Sequence, residues 1–156
     1  MFNRKPESLI PFVKKLESYL PVRDKRNESV STSDVAWQID HSLKVINLVS
    51  ETLLKSNPED YKSNFNKWRL LLFTIGYLPR GRVKAPKFVR PPEIISTEDL
   101  NTQTQLAYQN ILKLKSAPKH AYFKHFIFGV LHKKGTVRFL QLHTNHHLKI
   151  IRDILK

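Results

Sequence analysis

The chain has 156 residues, a mass of 18.3 kDa, 40% hydrophobic residues, a formal net charge of +14 and a pI near 10.1. That length lets one domain bury a full core without a covalent staple, so residues 1–156 are expected to form a single domain, with 1–30 as an N-terminal extension carrying a short helix. There is no cysteine, which excludes disulfides, thiolate metal sites and a protein-borne thiol nucleophile; any thiol chemistry needs an external thiol.

In chain order, Phe12, Val13, Leu16 and Leu20 are spaced for one face of a short helix that follows Pro11 and is closed by Pro21. Ser31, Thr32, Ser33 and Asp34 can cap a second helix over 31–55. In it Val35, Ile39, Leu43, Ile46 and Leu53 form one apolar line, and Trp37, His41, Val45 and Leu48 form the adjacent one. Asn57-Pro58-Glu59-Asp60 opens a third helix over 59–78, with Phe65, Trp68, Leu71, Leu72, Ile75 and Leu78 at helical spacing, and Pro79 stops it. Residues 79–92 hold four prolines and five basic residues, which predicts a non-helical crossover loop. Ser96 to Asp99 cap a fourth helix over 97–115, and an aromatic loop with Tyr122, Phe123, Phe126 and Phe128 follows. Gly135 and Thr136 introduce the last helix, 136–155, on which Leu140, His143, His147, Ile150, Ile151 and Ile154 share one side. Strand alternation is scarce, so the expected fold is all-α, a four-helix bundle with a long Pro/Arg-rich crossover.

The chemistry concentrates in Leu142-His143-Thr144-Asn145-His146-His147-Leu148. His143 and His147 lie one turn apart on one helix face, so two imidazoles project the same way and can supply two metal ligands. A third must come from elsewhere, and His41, on an inward line of the second helix, is the candidate. The plainer reading of the pair alone is two core histidines bonded to carbonyls, but buried imidazoles without partners lose solvation. His146 leaves the helix about 100° away and is expected to flank the site or face another helix. Trp37 and Trp68 read as packing residues, and His120, His125 and His132 as ordinary structural or exposed histidines.

The positive charge favours anionic partners. Arg80, Arg82, Lys84, Lys87 and Arg90 follow one another without an acid between them, and residues 111–156 carry ten Lys or Arg against the single acid Asp153. A solvated loop is the preferred reading of the first cluster over a phosphate site. No glycine-rich phosphate loop, nucleophile-elbow serine or metalloprotease glutamate occurs. The N-terminus lacks a leader pattern, and the most apolar stretch, Leu70 to Leu78, falls short of the roughly 18 residues of a membrane span. A soluble, cytoplasmic protein without a membrane partner is expected; a homodimer stays open.

Trp37-Gln38-Ile39-Asp40-His41-Ser42-Leu43 resembles the first metal-ligand helix of the DinB-like superfamily (the damage-inducible family), and Leu142 to Ile151 resembles its last. His120-Ala121-Tyr122-Phe123, Phe128-Gly129 and the proline- and arginine-rich crossover are similar to an uncharacterised branch of it, which usually has proline where this chain has Ala121. The resemblance runs from about residue 31 to the end. It implies a divalent metal, zinc or nickel before iron or manganese, held by His41, His143 and His147 with positions open to water or substrate. Characterised relatives include transferases and isomerases that use low-molecular-weight thiols such as bacillithiol or mycothiol. The expected function is therefore a metal-dependent enzyme that activates an external thiol or water, a transferase or a hydrolase. The alternative is a basic helical module for nucleic acid or another anion, without catalysis.

Overall fold

A computed structural model describes residues 3–81 and 84–156; Met1, Phe2, Arg82 and Val83 lie outside the described residues, and with them one member of the basic cluster. The described chain is mostly helical: α1 (Ile10–Glu17), α2 (Val35–Lys55), α3 (Lys67–Ile75), α4 (Thr97–Ser116), a hairpin of β1 (Tyr122–His125) and β2 (Gly129–His132), and α5 (Lys133–Ile154).

The core lies between α1, α2, α4 and α5. Ile39, Leu43 and Ile46 of α2 meet Leu100, Ala107 and Ile111 of α4 and Leu140 and Ile151 of α5, all fully buried. Asp34 starts α2 by accepting a hydrogen bond from the Trp37 backbone N–H at 2.8 Å, which satisfies one of the helix's free donors. Buried polar pairs fix the register of α2 against α4. Gln103 Nε2 donates to Asp40 Oδ1 at 2.7 Å, and Asn110 Nδ2 donates to Asn47 Oδ1 at 3.1 Å. Lys44 neutralises the same Asp40 at 2.6 Å, so the buried carboxylate has both charge and hydrogen-bond partners.

Three sequence expectations are corrected. The short N-terminal helix starts at Ile10 rather than Phe12 and ends at Glu17, with Pro11 in its first turn and Leu20 in a separate 3₁₀ turn; Leu9, Val13 and Leu16 are fully buried, so this extension completes the core. The third helix covers only Lys67–Ile75 instead of 59–78. Pro58–Asp60 forms a 3₁₀ turn and residues 61–66 are irregular, because their side chains serve the hairpin: Asn64 Oδ1 accepts from Val130 N at 3.1 Å and Asn66 Nδ2 donates to the Ile127 carbonyl at 2.7 Å. Asn66 also caps α3, accepting from Arg69 N at 2.8 Å, and Gly76 in the left-handed region (φ 73°) closes it. Its apolar stripe is not core, since Phe65, Trp68, Leu71 and Ile75 are exposed and only Leu72, Phe73 and Leu78 pack inward.

The aromatic loop is the third correction, being an antiparallel hairpin with Phe123 paired to Leu131 and His125 to Gly129. Its connection is closed by a side chain, as His125 Nδ1 accepts from the backbone N–H groups of Ile127 (3.0 Å) and Phe128 (3.2 Å). Gly129, at φ 70°, takes the left-handed position that a tight connection requires. α5 accordingly begins at Lys133, not 136, and is capped by the His132 ring, whose Nδ1 accepts from Gly135 N at 3.0 Å. Among its described residues the crossover is non-helical except for a 3₁₀ turn at Lys87–Val89.

Candidate metal centre

α2 and α5 pack side by side and bring His41, His143 and His147 together. One ring nitrogen from each lies within 4.8 Å of those of the other two, close enough to hold a single metal ion. Ring centroids are 5.1 Å apart for His41 and His143, 4.8 Å for His41 and His147, and 4.6 Å for the α5 pair. His41 and His147 are buried, and His143 is partly exposed through a cavity.

The hydrogen bonds around the rings orient their nitrogens. His41 Nδ1 donates to the Val89 carbonyl at 2.7 Å, and His147 Nδ1 donates to Gln38 Oε1 at 2.7 Å. The Gln38 amide is held in that sense because its Nε2 donates to Ser31 Oγ at 3.4 Å. With Nδ1 protonated and engaged, each ring keeps Nε2 as a lone-pair donor, the tautomer and orientation a metal ligand needs. His143 Nδ1 is buried without a hydrogen-bond partner. Three imidazoles with nitrogens within ligating reach of one another, two of them of fixed tautomer, are a donor set that fits a divalent ion.

Burial holds all three rings neutral. It pushes His143 and His147 well below the usual histidine range, and the other imidazoles push the same way, since two cations there would repel. His41 is lowered by burial as well, partly offset by its bond to Val89 and by the charge of Asp40. Three neutral imidazoles at pH 7 are three available ligands.

The expected secondary roles divide. His146 flanks the group, its ring edge-on to His147 at 5.0 Å and its Nδ1 donating to the Leu78 carbonyl at 2.9 Å. The crossover is thus tied to site histidines at both ends, by the carbonyls of Leu78 and Val89. Trp37 stacks on His41 (5.0 Å, 25° between planes) and lines the cavity, so it shapes the site, whereas Trp68 is exposed and belongs neither to core nor to site. His120 is exposed and stacks on Tyr61 at 5.4 Å. His125 lines the cavity, contrary to its reading as an ordinary loop histidine. The two described arginines of the basic cluster are engaged separately: Arg80 pairs with Asp153 at 2.6 Å, and Arg90 Nε donates to the Ala85 carbonyl at 2.6 Å.

A cavity of about 590 Å³ opens onto the three histidines, between α2, α5, the hairpin connection and the crossover. Sequence reasoning missed Gln38 and the Val89 carbonyl; a polar residue between Trp37 and Ile39, one turn before His41, is the trace that Gln38 leaves in the sequence. Comparison of the chain with protein-family models, with curated proteins and with solved structures finds no match.

Proposed function

We propose that this chain is a divalent-metal-dependent enzyme of the DinB-like four-helix-bundle kind, with His41, His143 and His147 as the ligands of zinc or nickel, or less readily of iron or manganese. The observation that carries this reading is the convergence of three neutral imidazoles, two of them with Nδ1 already donated to an acceptor outside the group. A divalent ion supplies Lewis-acid chemistry there, easing deprotonation of an external thiol or of water at neutral pH. The chain's own residues do the rest. Gln38 and the Val89 carbonyl hold the rings of His147 and His41 each in one tautomer, Trp37 stacks on His41, and a mostly apolar cavity leads to the group. With no cysteine in the chain, a thiol nucleophile would have to come from a small molecule, which supports a thiol-dependent transferase or a hydrolase.

The test is elemental analysis of protein produced without a histidine tag, followed by competition with a colorimetric zinc chelator. One equivalent of divalent metal, retained through gel filtration, is expected. Protein that neither carries nor takes up one equivalent of zinc, nickel, iron or manganese would return the three histidines to the core.

A further inference from the structure

Among the described residues that line the cavity there is no carboxylate, no amide and no hydroxyl side chain. Apart from the histidines and Trp37, the polar side chains among the described lining residues are Lys84 and Lys124, both exposed. The remaining walls are aliphatic and aromatic, including Val45, Leu72 and Phe139. Two further apolar residues of the lining, Phe88 and Phe126, are 68% and 66% exposed, which places them with the lysines at the mouth. His41 and His147, by contrast, belong to the buried part of the lining.

This distribution decides what the cavity can hold. A polyhydroxylated or peptidic ligand would leave most of its polar groups facing hydrocarbon, at a cost of about 1–3 kcal/mol for each lost hydrogen bond. An apolar body recovers burial instead, and the volume falls within the ~300–1,000 Å³ of small-molecule sites. Two lysines at the mouth with no acid beside them in the lining favour one negative charge at that end. We propose that the cavity binds an apolar monoanion, a molecule of the medium-chain carboxylate class, with its anionic group toward the exposed lysines of the lining, Lys84 and Lys124, and its hydrocarbon end directed at the histidine group. The assignment names the ligand class of the cavity that opens onto the site proposed above, and only its orientation toward the histidine group rests on that reading.

Decanoate is the probe, titrated below its micelle concentration into chelator-treated protein carrying Trp68→Phe, so that the remaining tryptophan, Trp37, reports from the cavity wall. Saturable, one-to-one change of Trp37 fluorescence is expected with decanoate, a weaker response with decan-1-ol, and none with inorganic phosphate. In a Lys84→Ala/Lys124→Ala protein the decanoate affinity should fall about fivefold while that for decan-1-ol stays level, as befits two exposed charge contacts. Zinc stoichiometry is measured on a separate aliquot. Zinc bound but no decanoate response, or equal affinity for acid and alcohol, would overturn the substrate class and leave the metal reading standing. A decanoate response in protein that takes up no zinc would sustain the cavity's ligand class and remove the metal.

Discussion

At the level of single residues, the histidines of the site differ in whether a ring nitrogen reaches the common group, and that difference sets what each substitution costs. His41, His143 and His147 bring ring nitrogens within 4.8 Å of one another, whereas His146, although its Nδ1 also donates to a carbonyl, that of Leu78, stands edge-on to His147 outside that group. Replacing any one of the three with alanine should lower zinc affinity by more than a hundredfold, while His146→Ala leaves the stoichiometry at one. Gln38→Leu keeps the ligand but removes the acceptor that orients His147, so affinity should drop by about 10- to 100-fold. Chelator competition on the five variants reads all of these; equal loss from His146→Ala and His143→Ala would show the ligand assignment to be wrong. The α5 pair was legible because four-residue spacing within an apolar run admits few other readings, and His41 because it sits on an inward line of α2. Val89 was not legible, since a backbone carbonyl leaves no mark in composition.

The elements show where side chains overrule periodicity. The helix pattern from 59 to 78 is real in the sequence, yet Asn64 and Asn66 bond to the hairpin instead of continuing a helix, and α3 shrinks to nine residues. The hairpin itself was hidden because its strands are four residues each and its connection is closed by an imidazole rather than by a familiar turn pair. His125 therefore has a measurable role. Burial lowers its pKa to about 4, from 6.5 in an unfolded chain, so between those values the unfolded state takes up a proton that the folded state refuses. This contribution to stability is complete above pH 6.5 and weakens as pH falls through the window, by up to about 1.4 kcal/mol per pH unit. His125→Phe keeps a ring between Phe126 and Phe128 but strips two backbone donors of their acceptor, so at pH 7.5 it should be about 1–3 kcal/mol less stable than wild type in urea denaturation. At pH 4.5 that gap should narrow or reverse; a gap independent of pH would contradict the buried neutral ring. Gly129→Ala is the matching backbone test. A Cβ there would run into the Asn64 amide, which is already engaged by Val130 N, and φ of 70° disfavours any L side chain. A loss of about 2 kcal/mol is expected, and an unchanged urea midpoint would mean that the connection has another conformation.

Considered as one molecule, the chain separates its chemistry from its charge. The histidine group and cavity sit between α2, α5 and the hairpin connection, while the cations that make up the net +14 are spread over several elements and partly engaged with acids, as in Lys115 with Glu7 and Arg80 with Asp153. A nucleic-acid site that reads sequence needs side chains aimed together at base edges; the described arginines of the crossover point instead to Asp153 and to the loop's own carbonyl. What remains is attraction to phosphate through released counterions, which has no sequence preference and falls steeply with salt. If about three phosphates are engaged, affinity for an arbitrary duplex should drop by roughly a hundredfold between 20 and 150 mM salt. Fluorescence anisotropy with two unrelated labelled duplexes measures both the slope and any preference between them. Equal, salt-sensitive binding is expected. Tight binding to one duplex that persists at 150 mM would mean that the basic surface, rather than the histidine group, carries the function, because screening at that ionic strength removes most of what dispersed surface charge can contribute.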